Sequence, residues 1–326
     1  MINNLEDFVN KFNIYFSESI PFYFMIDYEL NKPVILKLDN ITDDILIKTN
    51  LIDNSKNENK FNSSKIIEME TFPVEKSIFN ASFDNVLRNM HYGNSYLLNL
   101  TFPSKIKINL SLEDIFYNSN ARFKIKYKNN FVVFSPEIFV EIEDGKIYSY
   151  PMKGTINADI DDAEKKLIND KKELAEHYTI VDLIRNDLSI IAENIEVEKF
   201  RYIEKIKTNN VNLLQTSSKI SGILRDDFES NAGSMFLKLL PAGSISGAPK
   251  EKTIEIISES ELDERGYYTG VFGVYDGKKL ESAVMIRYIE NTENGMQFRS
   301  GGGITFLSDK DSEYKEMVDK IYVPTN

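Results

Sequence analysis

The sequence predicts a mixed α/β protein of the α+β kind, with antiparallel strands and helices in separate stretches of the chain. Four short apolar runs at 122–127, 131–134, 137–142 and 146–150 follow one another with no helix between them, so their pairing is antiparallel. A further hairpin reads from GYYTGVFGVYDGKKLESAVMIRYIE, with its turn at Asp276 and Gly277. Against these strands stands one long helical pattern, KKELAEHYTIVDLIRNDLS at 171–189.

That helix is apolar on most sides. Leu174, Tyr178 and Val181 recur at helical spacing, and Ile180, Leu183, Ile184 and Leu188 form a second stripe, so the helix is expected to lie inside the protein, starting near Asp161. The remaining elements follow in order. PFYFMIDYELNKPVILKL reads as two strands about a turn, and the polar run DNSKNENKFNSS as a mobile loop. FNASFDNVLRNMHYG reads as a helix closed by Gly93, and NSYLLNLTFP as a strand. Strands are expected at 195–203 and within QTSSKISGIL, and a helix from about Pro249 after the loop PAGSISGAPK. Residues 1–75 read as a short amino-terminal portion packing on a core of 76–326.

Composition bounds the function. At 326 residues and 42% hydrophobic content the chain fills a sizeable core. A net charge of −12 speaks against sequence-independent binding to nucleic acid or an anionic membrane. An anionic substrate stays open, provided a local positive site receives it. The amino terminus has early acids and no long apolar run, so neither a secretory signal nor a membrane span is expected, and the cytoplasm is the expected location.

Within the helical pattern Glu173 and Glu176 share one face, with Asp187 three turns on. A lone glutamate pair is explained by the helix dipole. A second pair, Glu313 and Glu316, repeats the spacing in SDKDSEYKEMVDK, and two such pairs suggest one oxygen-rich site. Four adjacent carboxylates repel one another unless a cation lies among them. With no cysteine and only His91 and His177, the donors favour magnesium, calcium or manganese. Arg287, in an apolar run, either closes an ion pair or faces a ligand.

From Gly93 to Lys320 nine strings occur in order: GNSYLLNLT, FSPEIF, PMKGT, KELAEHYTIVDLIRNDLS, SSKISG, PAGSISGAPK, RGYYTGVFG, MIR and SGGGITFLSDKDSEYKEMVDK. Together they make the chain resemble the chorismate-utilising enzymes, the family of anthranilate, aminodeoxychorismate, isochorismate and salicylate synthases. The resemblance implies a large sandwich of two antiparallel sheets flanked by helices, with 76–326 as the chorismate-binding catalytic core. It implies magnesium on Glu173, Glu176, Glu313 and Glu316, facing the substrate's ring carboxylate.

Smaller differences indicate the reaction. Lys153 of PMKGT matches the lysine of many aminodeoxychorismate synthases, where anthranilate synthases usually have alanine. Leu97 stands where water-adding relatives carry an activating lysine. Gln215 replaces a histidine common in the family, consistent with a product that keeps its enolpyruvyl group. By the same match Lys153 is the nucleophile, Glu137 the general acid and base, and Thr155 their neighbour. Arg287, Tyr268 and the Gly303 amide hold the enolpyruvyl carboxylate. Ammonia is expected from a separate glutamine amidotransferase subunit, because a cysteine-free chain lacks that glutaminase nucleophile. The alternatives are an anthranilate synthase large component and an inactive chorismate-binding relative.

Overall fold

The structure is a computed structural model describing residues 4–55, 67–206 and 212–324. Among these residues two wholly antiparallel sheets pack face to face, one of nine strands and one of eight. Strand Phe22–Ile26 shows why. Its residues alternate between faces: Phe22, Phe24 and Ile26 pack with Phe8, Phe12 and Phe236 from flanking helices. Tyr23 and Met25 meet Ile47, Phe123, Ile125 and Val133 of the opposite sheet. A strand covered on both faces must be apolar throughout, as FYFMI is. The eight-stranded sheet is covered likewise by helices Lys76–His91 and Lys250–Ser260, through Phe79, Phe83, Ile256 and Ile257.

The amino-terminal portion adds strands to both sheets. Phe22–Ile26 pairs with Val271–Tyr275 in one, and Ile45–Lys48 pairs with Phe123–Tyr127 in the other. Helix Leu5–Ser17 packs on helix Phe228–Lys238. Most of DNSKNENKFNSS lies outside the described residues.

The expected hairpins form: Ile138–Glu143 pairs with Lys146–Ser149 across Asp144 and Gly145, both at positive φ. Gly93, at φ 76°, closes helix Lys76–His91, which begins three residues before Phe79. Three expectations need correction. The long helix does not start near Asp161; a short helix, Ala163–Asn169, precedes it, and Lys171–Ser189 starts afresh at Asp170, whose side chain accepts from the Glu173 amide at 3.0 Å. Nor is it wholly interior. His177, Ile180, Val181, Leu183, Ile184 and Leu188 are buried, but Tyr178 is 54% exposed, its ring stacked on Phe200. Arg287 is not within a strand: it follows Leu280–Val284 and precedes Tyr288–Thr292, at φ 54°.

That last break is one of two places where the chain passes between the sheets beneath the site. Leu280–Val284 belongs to the nine-stranded sheet and Tyr288–Thr292 to the eight-stranded one. The other passage is Pro136–Glu137, between Phe131–Ser135 and Ile138–Glu143. Fully buried Arg265 braces the region. It pairs with Glu261 at 2.6 Å, donates to the Asn99 carbonyl at 2.5 Å and lies over the Tyr28 ring. Losing one partner of a buried pair strands the other charge, at a cost of about 3–5 kcal/mol. Arg265→Met is therefore expected to lower unfolding stability in urea by about that amount. Adding Glu261→Met should restore part of it; a single variant as stable as wild type contradicts this bracing role.

Candidate active site

A cavity of about 970 Å³ opens where the two passages meet the long helix, lined by Glu137, Lys153, Thr155, Glu176, Gln215, Tyr268, Arg287 and Gly303. Each arrives by a local device. Lys153 sits in strand Met152–Asn157 at a register shift between Met152 and Thr155, beside Gly154 at φ 82°. Such a bulge re-aims a side chain. Thr155 faces Gln215 across the ladder. Gly303 pairs with Asn99, within the run Gly301, Gly302 and Gly303 of strand Gly295–Thr305, which lines the cavity with backbone alone.

Glu173, Glu313 and Glu316 are not among the lining residues; they stand behind glycines. A Cβ at position 154 would lie 3.0 Å from Glu173 Oε2. One at Gly302, which does line the cavity, would lie 3.4 Å from Glu313 Oε2 and 3.6 Å from Glu316 Oε1. Both glutamate pairs thus approach the same region from separate helices, Lys171–Ser189 and Lys310–Asp319. Asp187 does not join them; it pairs with Lys250 at 3.1 Å and holds the PAGSISGAPK loop.

The charges are matched in part within the cluster. Lys153 Nζ lies 2.7 Å from Glu176 Oε2, and Lys320 Nζ 2.7 Å from Glu316 Oε1. Burial opposes the Lys153 charge, but Glu176, with Glu173 and Glu316 beyond, outweighs it and holds the ammonium above its ordinary pKa. Burial raises Glu173, reinforced by Glu176, and raises Glu313, reinforced by Glu316. In Glu316 burial acts upward too, but the Lys320 link carries the carboxyl below its ordinary range. Glu173 Oε2 is buried with no hydrogen-bond partner among the described residues. Among the described residues no three Asp, Glu or His side chains form a ready-made metal cluster. The donor set still fits magnesium, which takes one or two carboxylates and keeps water or substrate oxygens.

Opposite, Glu137 accepts from the Ser244 hydroxyl at 2.8 Å. Burial lifts its carboxyl above the ordinary range, against that hydrogen bond and the cations Arg287 and Lys320. Arg287 makes no ion pair with a described residue; its guanidinium lies 5.1 Å from the Tyr322 ring centroid. Tyr268 is buried, and its hydroxyl is pushed up to about 12 by burial, so it is a donor at neutral pH. Buried His177 hydrogen-bonds Ser218 at 2.7 Å and is held down at about 4 by burial, with Arg201 adding to the effect. It is a neutral packing residue.

Among the lining residues that escaped the sequence reading are Lys320, Lys172 and Ser244. Lys320 and Lys172 each stand four positions from a site glutamate, Glu316 and Glu176, and that spacing was the available signal. Ser244 had none beyond its loop.

A cavity with lysine and arginine side chains in an acidic protein suits a small dianion. Residues 25–326 match the family model described as chorismate binding enzyme, and the chain belongs to that family. It is a chorismate-utilising enzyme. An uncharacterized PabA-like protein of Pasteurella multocida is 47% identical over 98% of this chain and 99% of its own length. Anthranilate synthase component 1 of Aeropyrum pernix is 36% identical over 57% of this chain and 43% of its own. The menaquinone-specific isochorismate synthase from Escherichia coli shares the fold, with a TM-score of 0.70 at 14% identity over 98% of this chain and 81% of that one. No helix of the described residues is long and apolar enough to cross a membrane.

With its folded pKa raised, ionised Glu137 weakens the fold at neutral pH, and the penalty is gone below the unfolded glutamate value of about 4.3. Glu137→Gln is expected to melt above wild type at pH 7, the gap closing as pH falls toward about 4. Melting below wild type at pH 7 contradicts the burial penalty.

Proposed function

We propose that this enzyme aminates chorismate at ring carbon 4, giving 4-amino-4-deoxychorismate for para-aminobenzoate and folate synthesis, as the component I of an aminodeoxychorismate synthase. The observation that carries the reading is Lys153 in the cavity, held by Glu176, with the half-buried acid Glu137 lining the same space. The PabA-like label of the Pasteurella multocida relative agrees with it.

Arg287 and Tyr268 would bind the enolpyruvyl carboxylate beside Gly303, and Gln215 and Thr155 would border the ring. Lys153 would add at carbon 2 while the carbon 4 hydroxyl leaves as water on a proton from Glu137. Ammonia would then add at carbon 4, returning a proton to Glu137 and expelling the lysine amine, so that chorismate and ammonia give product and water. The ion pair keeps Lys153 protonated, so its proton must pass to Glu176 before the neutral amine attacks, and the expelled amine takes it back at the end of the cycle. Glu173, Glu176, Glu313 and Glu316 would hold magnesium, which when bound neutralises the ring carboxylate. Ammonia would come from a separate glutamine amidotransferase. The anthranilate synthase relative favours a second reading, anthranilate formation; Lys153 and Gln215 weigh against it.

The test withholds ammonia. Intact-protein mass spectrometry with chorismate and magnesium should show an adduct on wild type, none on Lys153→Ala, and none after chelation. An adduct that survives Lys153→Ala removes the lysine from the mechanism. One that forms equally in metal-free buffer removes the magnesium.

A further inference from the structure

A second cavity, of about 420 Å³, backs onto the first. The two share Pro136, Ile138, Tyr150 and Met152, which form a partition between them. On the far side stand Asn50, Leu51, Arg122, Lys279 and three glutamates, Glu141, Glu204 and Glu281. Both cations sit on one carboxylate: Glu141 receives Arg122 at 3.4 Å, Lys279 at 3.2 Å and the Tyr150 hydroxyl at 3.3 Å, whereas Glu281 accepts from the Asn50 backbone amide at 3.1 Å and Glu204 from the Ser217 hydroxyl at 2.6 Å.

The partition has a particular place in the chain. Pro136 and Ile138 flank Glu137, and Met152 immediately precedes Lys153. Neighbouring side chains of an extended segment point to opposite sides. Accordingly Glu137 and Lys153 line only the larger cavity, whereas Pro136, Ile138 and Met152 line both. A small neutral molecule crossing the partition would emerge between the proposed acid-base and nucleophilic groups. A dianion is opposed there by the apolar wall and the carboxylates behind it. Met152, an unbranched thioether, is the side chain of the four best suited to yield.

We propose that the smaller cavity is the route by which ammonia reaches bound chorismate, with the vestibule carboxylates accepting its N–H groups before it passes Met152. This rests on the amination reading above. It lets the second reactant arrive while the first fills the main mouth, and keeps it out of bulk water, where most would be protonated.

The test plugs the vestibule from positions that do not line the catalytic cavity. Leu51→Trp fills it from the sheet edge and Lys279→Trp from a hairpin loop, in a chain with no other tryptophan, so indole emission reports folding in each. With ammonium chloride as the nitrogen source, the KM for ammonium is expected to rise about tenfold in both, with the KM for chorismate within about twofold of wild type. An unchanged ammonium KM in the folded variants, with wild type aminating normally, overturns the route alone. A wild-type enzyme that forms no aminated product overturns the proposed function and the route with it.

Discussion

Two antiparallel sheets packed face to face confine the chain, because a strand can leave one for the other only where the ladder breaks. Beneath the cavity it does so at Pro136–Glu137 and at Met285–Arg287. Proline has no amide to contribute to a ladder, and a positive φ at Arg287 ends one. Pro136, Glu137, Ile286 and Arg287, which lie between the strands there, all line the cavity. The site is thus a consequence of how the sandwich is threaded.

Charge is the second constraint. A protein of net charge −12 must create its own positive surface to receive a dianion, and here Lys153, Lys172, Lys320 and Arg287 all line one cavity. Lys153 and Lys320 are held by Glu176 and Glu316, while Arg287 has no ion pair with a described residue. In a site shielded from solvent such pairs count for more: a unit pair at 4 Å is worth about 1 kcal/mol in water and about 4 kcal/mol at an effective dielectric of 20. The pair that keeps Lys153 charged therefore also restrains it.

Much of this was legible in the sequence. Alternation and turn chemistry gave the hairpins at 138–149 and 271–284, and the motif strings gave the sandwich and named Glu137, Lys153, Thr155, Glu176, Gln215, Tyr268, Arg287 and Gly303, which line the cavity, with Glu173, Glu313 and Glu316 outside its lining. Arg287 was misplaced because it is the only charge between Glu281 and Glu290, in a stretch otherwise mostly apolar, and a passage between sheets leaves no further polar mark when both sides are buried. Tyr178 made the long helix read as interior, since periodicity cannot show that its ring lies on Phe200 at the surface. Asp187 shares the helix with Glu173 and Glu176, but its partner Lys250 comes from sixty-three positions away, beyond any local rule. The balance between burial and Glu176 at Lys153 likewise needed coordinates.

The account's central claim is amination at carbon 4 with the enolpyruvyl group retained. Its most direct test is to identify the product from chorismate, magnesium and ammonium by mass and absorption spectrum. The account predicts 4-amino-4-deoxychorismate, with glutamine supporting its formation only after an amidotransferase is added. Anthranilate with released pyruvate, or isochorismate, would contradict it.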